Sequence, residues 1–167
     1  MALLACTGLF LRLSIAFVHE EASIRPISAE DTIVLRLPIL RTGMQREDAI
    51  FPGDDAPDTA HIGAFVGNSL VGVVTVFPAQ FPARPETGGT WQLRGMATTP
   101  EVRGHGFGRE LLRACHRHVK ENGGTLLWCN ARVPAQAFYE KAGWMPVGEV
   151  FEIPTAGPHI RMCISVA

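Results

Sequence analysis

The stretch Arg103-Gly104-His105-Gly106-Phe107-Gly108-Arg109 decides the fold of this chain. It stands between a strand-like segment, Trp91-Gln92-Leu93-Arg94-Gly95-Met96-Ala97-Thr98, and a segment with one apolar face. On that face Phe107, Leu111, Cys115 and Val119 recur at helical spacing, with Leu112 beside them. A glycine-rich turn that opens a helix presents backbone N–H groups with no partner inside the helix, and the helix dipole adds to their pull. Both suit a phosphate or pyrophosphate. Glycine lets the backbone approach an anion with no side chain in the way, and Arg103 and Arg109 put positive charge at both ends. A tight turn with close helix–sheet packing is the purely structural alternative.

Two familiar phosphate loops do not fit. The P-loop needs a Gly-Lys-Ser/Thr ending, which is absent, and the dinucleotide pattern would need glycine where Arg109 stands. No acidic ribose reader follows on a second parallel strand. What remains is R-x-x-G-x-G, carried by Arg103, Gly106 and Gly108.

A second motif follows: Asn130-Ala131-Arg132-Val133-Pro134-Ala135-Gln136-Ala137-Phe138-Tyr139-Glu140-Lys141-Ala142-Gly143-Trp144. The order strand, R-x-x-G-x-G, helix, strand, A-x-x-F-Y-E-K-x-G-aromatic resembles the GNAT superfamily of N-acetyltransferases. The motifs lie between about residues 60 and 150, and the order of elements extends the resemblance to about 23–166. It implies acetyl-CoA as cofactor, its pyrophosphate held by the backbone of Arg103, Gly104, His105, Gly106, Phe107, Gly108 and Arg109. The pantetheine arm would run along the strand edge at Met96, Ala97 and Thr98, in a gap between Trp91–Thr98 and Thr125–Cys129. Tyr139 would be the general acid near the cofactor sulfur. Where the family carries Asn or Gln ahead of that tyrosine, this chain has Arg132, with Asn130 just before it, and either residue is a candidate cofactor contact.

Composition bounds the reading. A chain of 167 residues, 47% hydrophobic, is most simply one domain with a sizeable core. A formal net charge of -1 gives no global electrostatic case for nucleic acid or an anionic membrane. The four cysteines, Cys6, Cys115, Cys129 and Cys163, form no C-x-x-C. Cys115, His116 and His118 point to different helix faces, so no metal site is expected, and buried thiols in a reducing cytoplasm are the reading. Residues 1–21 are apolar but lack a basic start and a cleavage site, and are too interrupted for a membrane span. They are expected to form an accessory element outside a domain spanning 22–167, packed on that domain or at a homodimer contact.

Along the chain the patterning predicts a strand at 23–27 and a helix from Ser28 or Asp31 to about Arg41. A loop follows over 43–59, with one helical turn near 45–49. A hairpin occupies 61–66 and 70–77, and the central strand runs over 91–98. A helix at 107–122 ends on Gly123-Gly124, and a strand at 125–129 lies parallel to the central one. A short helix starts at Pro134, and a closing hairpin spans 147–153 and 160–166. The fold class is mixed α+β: a twisted, mostly antiparallel sheet of six or seven strands with helices on both faces.

Acetyl transfer needs a fixed thioester, a polarised carbonyl, a proton for the leaving thiolate and a base for the amine. Tyr139 is the donor candidate, with a core tyrosine as the alternative; Phe138 reads as core. Arg132 suits a phosphate, a substrate carboxylate or a solvated loop position. Candidate bases are His61, Glu149, Glu152 and His159. Arg94 on the central strand points to an acidic acceptor, and Glu152 and His159 are further substrate contacts. The leading function is transfer of an acetyl group to a primary amine of a small molecule or peptide. The other reading is a non-catalytic acyl-CoA sensor on the same fold.

Overall fold

The structure is a computed structural model that describes residues 22–166. The accessory segment 1–21, with Cys6, therefore lies outside the described residues. The elements follow in the order β1 (Ala22–Pro26), α1 (Ala29–Leu40), β2 (Ala60–Val66), β3 (Ser69–Pro78), β4 (Thr90–Thr98), α2 (Phe107–Glu121), β5 (Leu126–Arg132), α3 (Gln136–Lys141), β6 (Met145–Ile153) and β7 (Gly157–Ser165). Short 3-10 turns occupy Arg46–Ala49, Pro100–Val102 and Val133–Ala135.

The strands form one seven-stranded sheet in the order β1-β2-β3-β4-β5-β7-β6. Every neighbouring pair is antiparallel except β4 and β5. A parallel pair needs a crossover, and α2 supplies it. The helix packs on one face of the sheet, where Leu111, Cys115 and Val119 meet Val74, Val76, Leu93, Leu127 and Met162 in the main core. On the other face α1 seals a smaller cluster of Leu35, Val73 and Ala97. The mixed sheet with helices on both faces is thus the architecture expected from the sequence.

Alternation along the strands decides what faces each helix. Leu93, Cys129 and Ala131 belong to the α2-side core, so Arg94, Asn130 and Arg132 look toward α1. The α1 helix starts on a capping box: Ser28 Oγ accepts from the Asp31 amide at 3.1 Å, and Asp31 Oδ2 accepts from the Ser28 amide at 2.9 Å. These Ser28 hydrogen bonds hold the Asp31 carboxyl below the usual range.

One boundary and one burial differ from expectation. The fifth strand runs on to Arg132, because β7 pairs with it as far as His159, opposite Arg132. Asn130 and Arg132 are therefore strand residues, not loop residues. Phe138 is 36% exposed instead of buried. It lies on the outer side of the short α3 helix and covers Gly108, where an added Cβ would come within 3.1 Å of its Cζ.

Candidate active site

Pairing between the two parallel strands is brief. It runs from Thr90 opposite Leu126 to Leu93 opposite Cys129 and stops there, although both strands continue. The cause sits on β4. Between the pairs Val73–Ala97 and Thr75–Arg94, β4 holds one more residue than β3. That bulge contains Gly95 at φ +60, and a bulge bends its strand. Beyond it the edge of β4 turns from β5, and a cleft of about 390 Å³ opens between them. Gln92, Leu93, Arg94, Gly95 and Met96 line one wall and Cys129, Asn130, Ala131 and Arg132 the other. Tyr139 and Ala135 close the α2 side. Leu40, Arg41, Phe51 and Pro52 close the α1 side, with Ile153, Ala156 and His159 from the last hairpin. The gap expected along all of the two strands thus occupies only their divergent ends.

The glycine-rich turn lies next along the chain. After Thr99 donates to Val71 O at 2.9 Å, a 3-10 turn leads to Gly104 at φ +82 and Gly106 at φ +90, the N-cap of α2. Glu110 is the first helix residue to donate back, to Gly106 O at 3.1 Å. The amides of Phe107, Gly108 and Arg109 precede it and have no intrahelical acceptor. A Cβ on Gly104 would meet nothing within 4 Å, and one on Gly106 only Arg109 Nη2 at 3.8 Å. The space beside Gly104 and Gly106 is open, the geometry an approaching anion requires, whereas Phe138 covers Gly108.

Tyr139 is 6% exposed. Its hydroxyl donates toward Met96 Sδ at 3.8 Å and sits by the Cys129 thiol. Burial raises its pKa well above the ordinary tyrosine value, with Cys129 and Cys115 adding to the effect. Burial likewise raises Cys129 to about 12. Both keep their protons.

His159 is 5% exposed, and its Nδ1 lies 2.7 Å from Gly157 O. A carbonyl only accepts, so Nδ1 carries the hydrogen and Nε2 is left as the ring's acceptor. His61 is different. Its Nε2 meets Asp54 O at 2.9 Å and its Nδ1 meets Thr75 Oγ1 at 2.7 Å, so both nitrogens are engaged and it does not line the cleft. Glu149 and Glu152, also candidates from sequence, are exposed and off the cleft wall. In β6 the residues turned inward are Phe151 and Ile153, and Glu152 alternates away from them.

A buried polar network that sequence reasoning missed supports the α1 side. Arg36 is fully buried on α1. Its Nη1 meets Asp54 Oδ2 at 2.5 Å and its Nη2 meets Thr75 Oγ1 at 2.5 Å. Arg94 Nη2 meets the other Asp54 oxygen at 2.9 Å, and its guanidinium lies 4.3 Å from the Phe77 ring centroid. Burial opposes ionisation of Asp54, but the Arg36 and Phe51 hydrogen bonds and the two guanidiniums outweigh it and hold its carboxyl low. The missed signal was Arg36 itself, an arginine inside the apolar run Ile33-Val34-Leu35-Arg36-Leu37. Arg132 Nη2 donates to Leu40 O at 2.8 Å, on the α1 face and away from the α2 turn.

Among the described residues no His, Cys, Asp or Glu group is arranged to hold a metal ion, and no helix is long and apolar enough to cross a membrane. Cys115, Cys129 and Cys163 are buried and free.

The model of the Acetyltransferase (GNAT) family matches residues 29–144. The chain belongs to this family. The GNAT chain is 34% identical over 139 residues to the uncharacterized N-acetyltransferase YitI of Bacillus subtilis (strain 168), covering 83% of this chain and 93% of YitI. Among solved structures it resembles an aminoglycoside 6'-N-acetyltransferase complexed with coenzyme A, at TM-score 0.69 and 16% identity over 87% of this chain and 97% of that one. It also resembles Escherichia coli ElaA, at TM-score 0.68 and 17% identity over 86% and 99%. These structural likenesses show the fold; the family makes the chain an acyltransferase.

Proposed function

We propose that this GNAT enzyme moves an acetyl group from acetyl-CoA to a primary amine by direct attack of the amine on the thioester. The observation that carries the reading is continuity: β4, which lines one wall of the cleft at Tyr139 from Gln92 to Met96, runs on through Thr98 and one 3-10 turn to the glycine-rich start of α2. A pyrophosphate would lie against the α2 amides, with Arg103 and Arg109 exposed beside it. The pantetheine arm would follow the β4 edge that β5 leaves unpaired, and the thioester would reach Tyr139. The structure of an aminoglycoside 6'-N-acetyltransferase with coenzyme A, on the same fold, supports this cofactor class.

His159 Nε2 takes a proton from the attacking ammonium, so that the nitrogen lone pair is available. An amide of the bulged β4 edge donates to the carbonyl oxygen as negative charge develops there. As the new carbon–nitrogen bond forms and the carbon–sulfur bond breaks, the Tyr139 hydroxyl would give its proton to the departing thiolate, and the second proton shed by the acetylated nitrogen would restore that hydroxyl. Its raised pKa suits a group that must remain protonated until that moment. An intracellular cofactor and the three free thiols among the described residues support a cytoplasmic setting.

Gly106→Glu tests the cofactor site. It forces a side chain into the positive-φ region and places a carboxylate where the pyrophosphate belongs. Calorimetry should show loss of CoA binding in a protein whose far-UV spectrum is unchanged; parental affinity in the folded variant would remove the cofactor from this turn.

A further inference from the structure

The α1 side of the cleft carries charge that the acetyl-transfer reading does not use. Arg41, Arg94 and Arg132 line it, and no carboxylate does. Behind them, Arg36 and Arg94 share the single carboxylate of Asp54. Arg41 Nη1 and Arg132 Nη2 both donate to one neutral acceptor, Leu40 O, at 3.1 and 2.8 Å. That carbonyl ends α1, and a helix C-terminus is worth about half a negative charge, too little for two guanidiniums. Asp48 is the remaining nearby carboxylate. It draws on Arg41 from outside the cleft wall, and its Oδ2 already accepts the Gln45 amide at 2.9 Å. Four guanidiniums thus face two carboxylates. The repulsion is felt: burial first, and then the charge of Arg132, lower the Arg41 pKa. Burial also lowers that of Arg36, where the Asp54 contacts are opposed by Arg94 and Arg41.

A second observation lies on the same face. Asn130 Oδ1 is buried without a hydrogen-bond partner, and Arg94 Nε is a buried donor without one. Buried polar atoms left unpaired are costly unless a ligand completes them. An orphan acceptor near surplus donors matches a molecule with an ammonium and an anion a few bonds apart.

We infer that the acceptor is a compact amine bearing a carboxylate or phosphate, held by Arg41, Arg94 and Arg132, with its nitrogen directed by Asn130. This rests on the acetyl-transfer reading, in which the same amine is acetylated. Planar guanidiniums bind either anion in a bidentate manner. The cofactor's own phosphates do not account for the cluster, because they belong at the start of α2, on the opposite face of the sheet.

The test uses product-like probes and does not depend on turnover. N-acetylalanine, N-acetyl-O-phosphoserine and N-acetylalaninamide are titrated calorimetrically into the full-length enzyme, with and without CoA. At least one acid should bind about tenfold or more tightly than the uncharged amide, the tighter acid naming the anion, and added salt should narrow the gap. Arg41→Gln and Arg132→Gln should each weaken the acid about tenfold while CoA affinity and melting temperature stay near parental. Equal binding of acid and amide overturns the proposal, as do folded variants that hold the acid as the parent does. Failure to bind CoA would count against the acetyl-CoA reading instead, because the contrast between acid and amide is still measured on the enzyme alone.

Discussion

At the scale of single residues, two groups carry the proposed proton transfers, and they were not equally visible. Tyr139 stood out in sequence as the chain's one tyrosine within a recognisable motif. His159 was one of four candidate bases, and its place on the cleft wall together with hydrogen-bond chemistry separated it from His61, whose two nitrogens are both engaged. Tyr139→Phe keeps the ring that packs at 5.2 Å centroid distance against Phe138 and Trp144. With acetyl-CoA and a competent amine, kcat should fall about 100-fold while CoA affinity holds; undiminished turnover would make the hydroxyl structural. His159→Gln keeps a side chain in place but removes the proton-accepting ring. Its kcat/KM should fall about 100-fold while CoA affinity holds. Parental turnover in the folded variant would assign the proton to another group.

Among the elements, β4 does most to make a site out of a sheet. Its pairing with β5 ends at Leu93 because the bulge at Gly95 turns the strand away. The glycine was in plain sight in the sequence, but nothing local marked it as a bulge, because the extra residue is defined only by the register with β3. Two constraints meet there. The backbone sits at φ +60, and an added Cβ would lie 2.6 Å from Arg36 Nε. Gly95→Ala should therefore cost about 1–3 kcal/mol from backbone strain, and more if Arg36 must move from Asp54. Urea denaturation followed by tryptophan fluorescence reads this directly, and a midpoint equal to the parent's would mean the bulge relaxes freely. The α2 start was legible by contrast, since Gly104, Gly106 and Gly108 announce a tight turn whatever surrounds them.

Across the whole molecule, the core holds several acidic protons that an unfolded chain would release. Burial raises Cys129 from 9.0 to about 12, and burial likewise raises Cys115 and Tyr139. A group whose folded pKa lies above its unfolded value stabilises fully below the unfolded pKa, and that stability is lost as pH rises through the folded one. The melting temperature should therefore hold to about pH 9 and then fall steadily toward pH 12. With two lysines in the chain and Tyr139 its one tyrosine, few other groups titrate in that window. A melting temperature unchanged from pH 8 to pH 11 would contradict the buried-thiol account. The amino-acid sequence by itself determined the order of elements, the parallel crossover through α2 and the anion-ready turn, because periodicity, glycine placement and capping are local properties of the chain. The tertiary structure alone decided where β4 and β5 part, which histidine keeps a free nitrogen, and that Arg36, Arg41, Arg94 and Arg132 gather around Asp54 and Leu40. Those outcomes depend on register and on charges brought together from distant positions, and no local pattern encodes them.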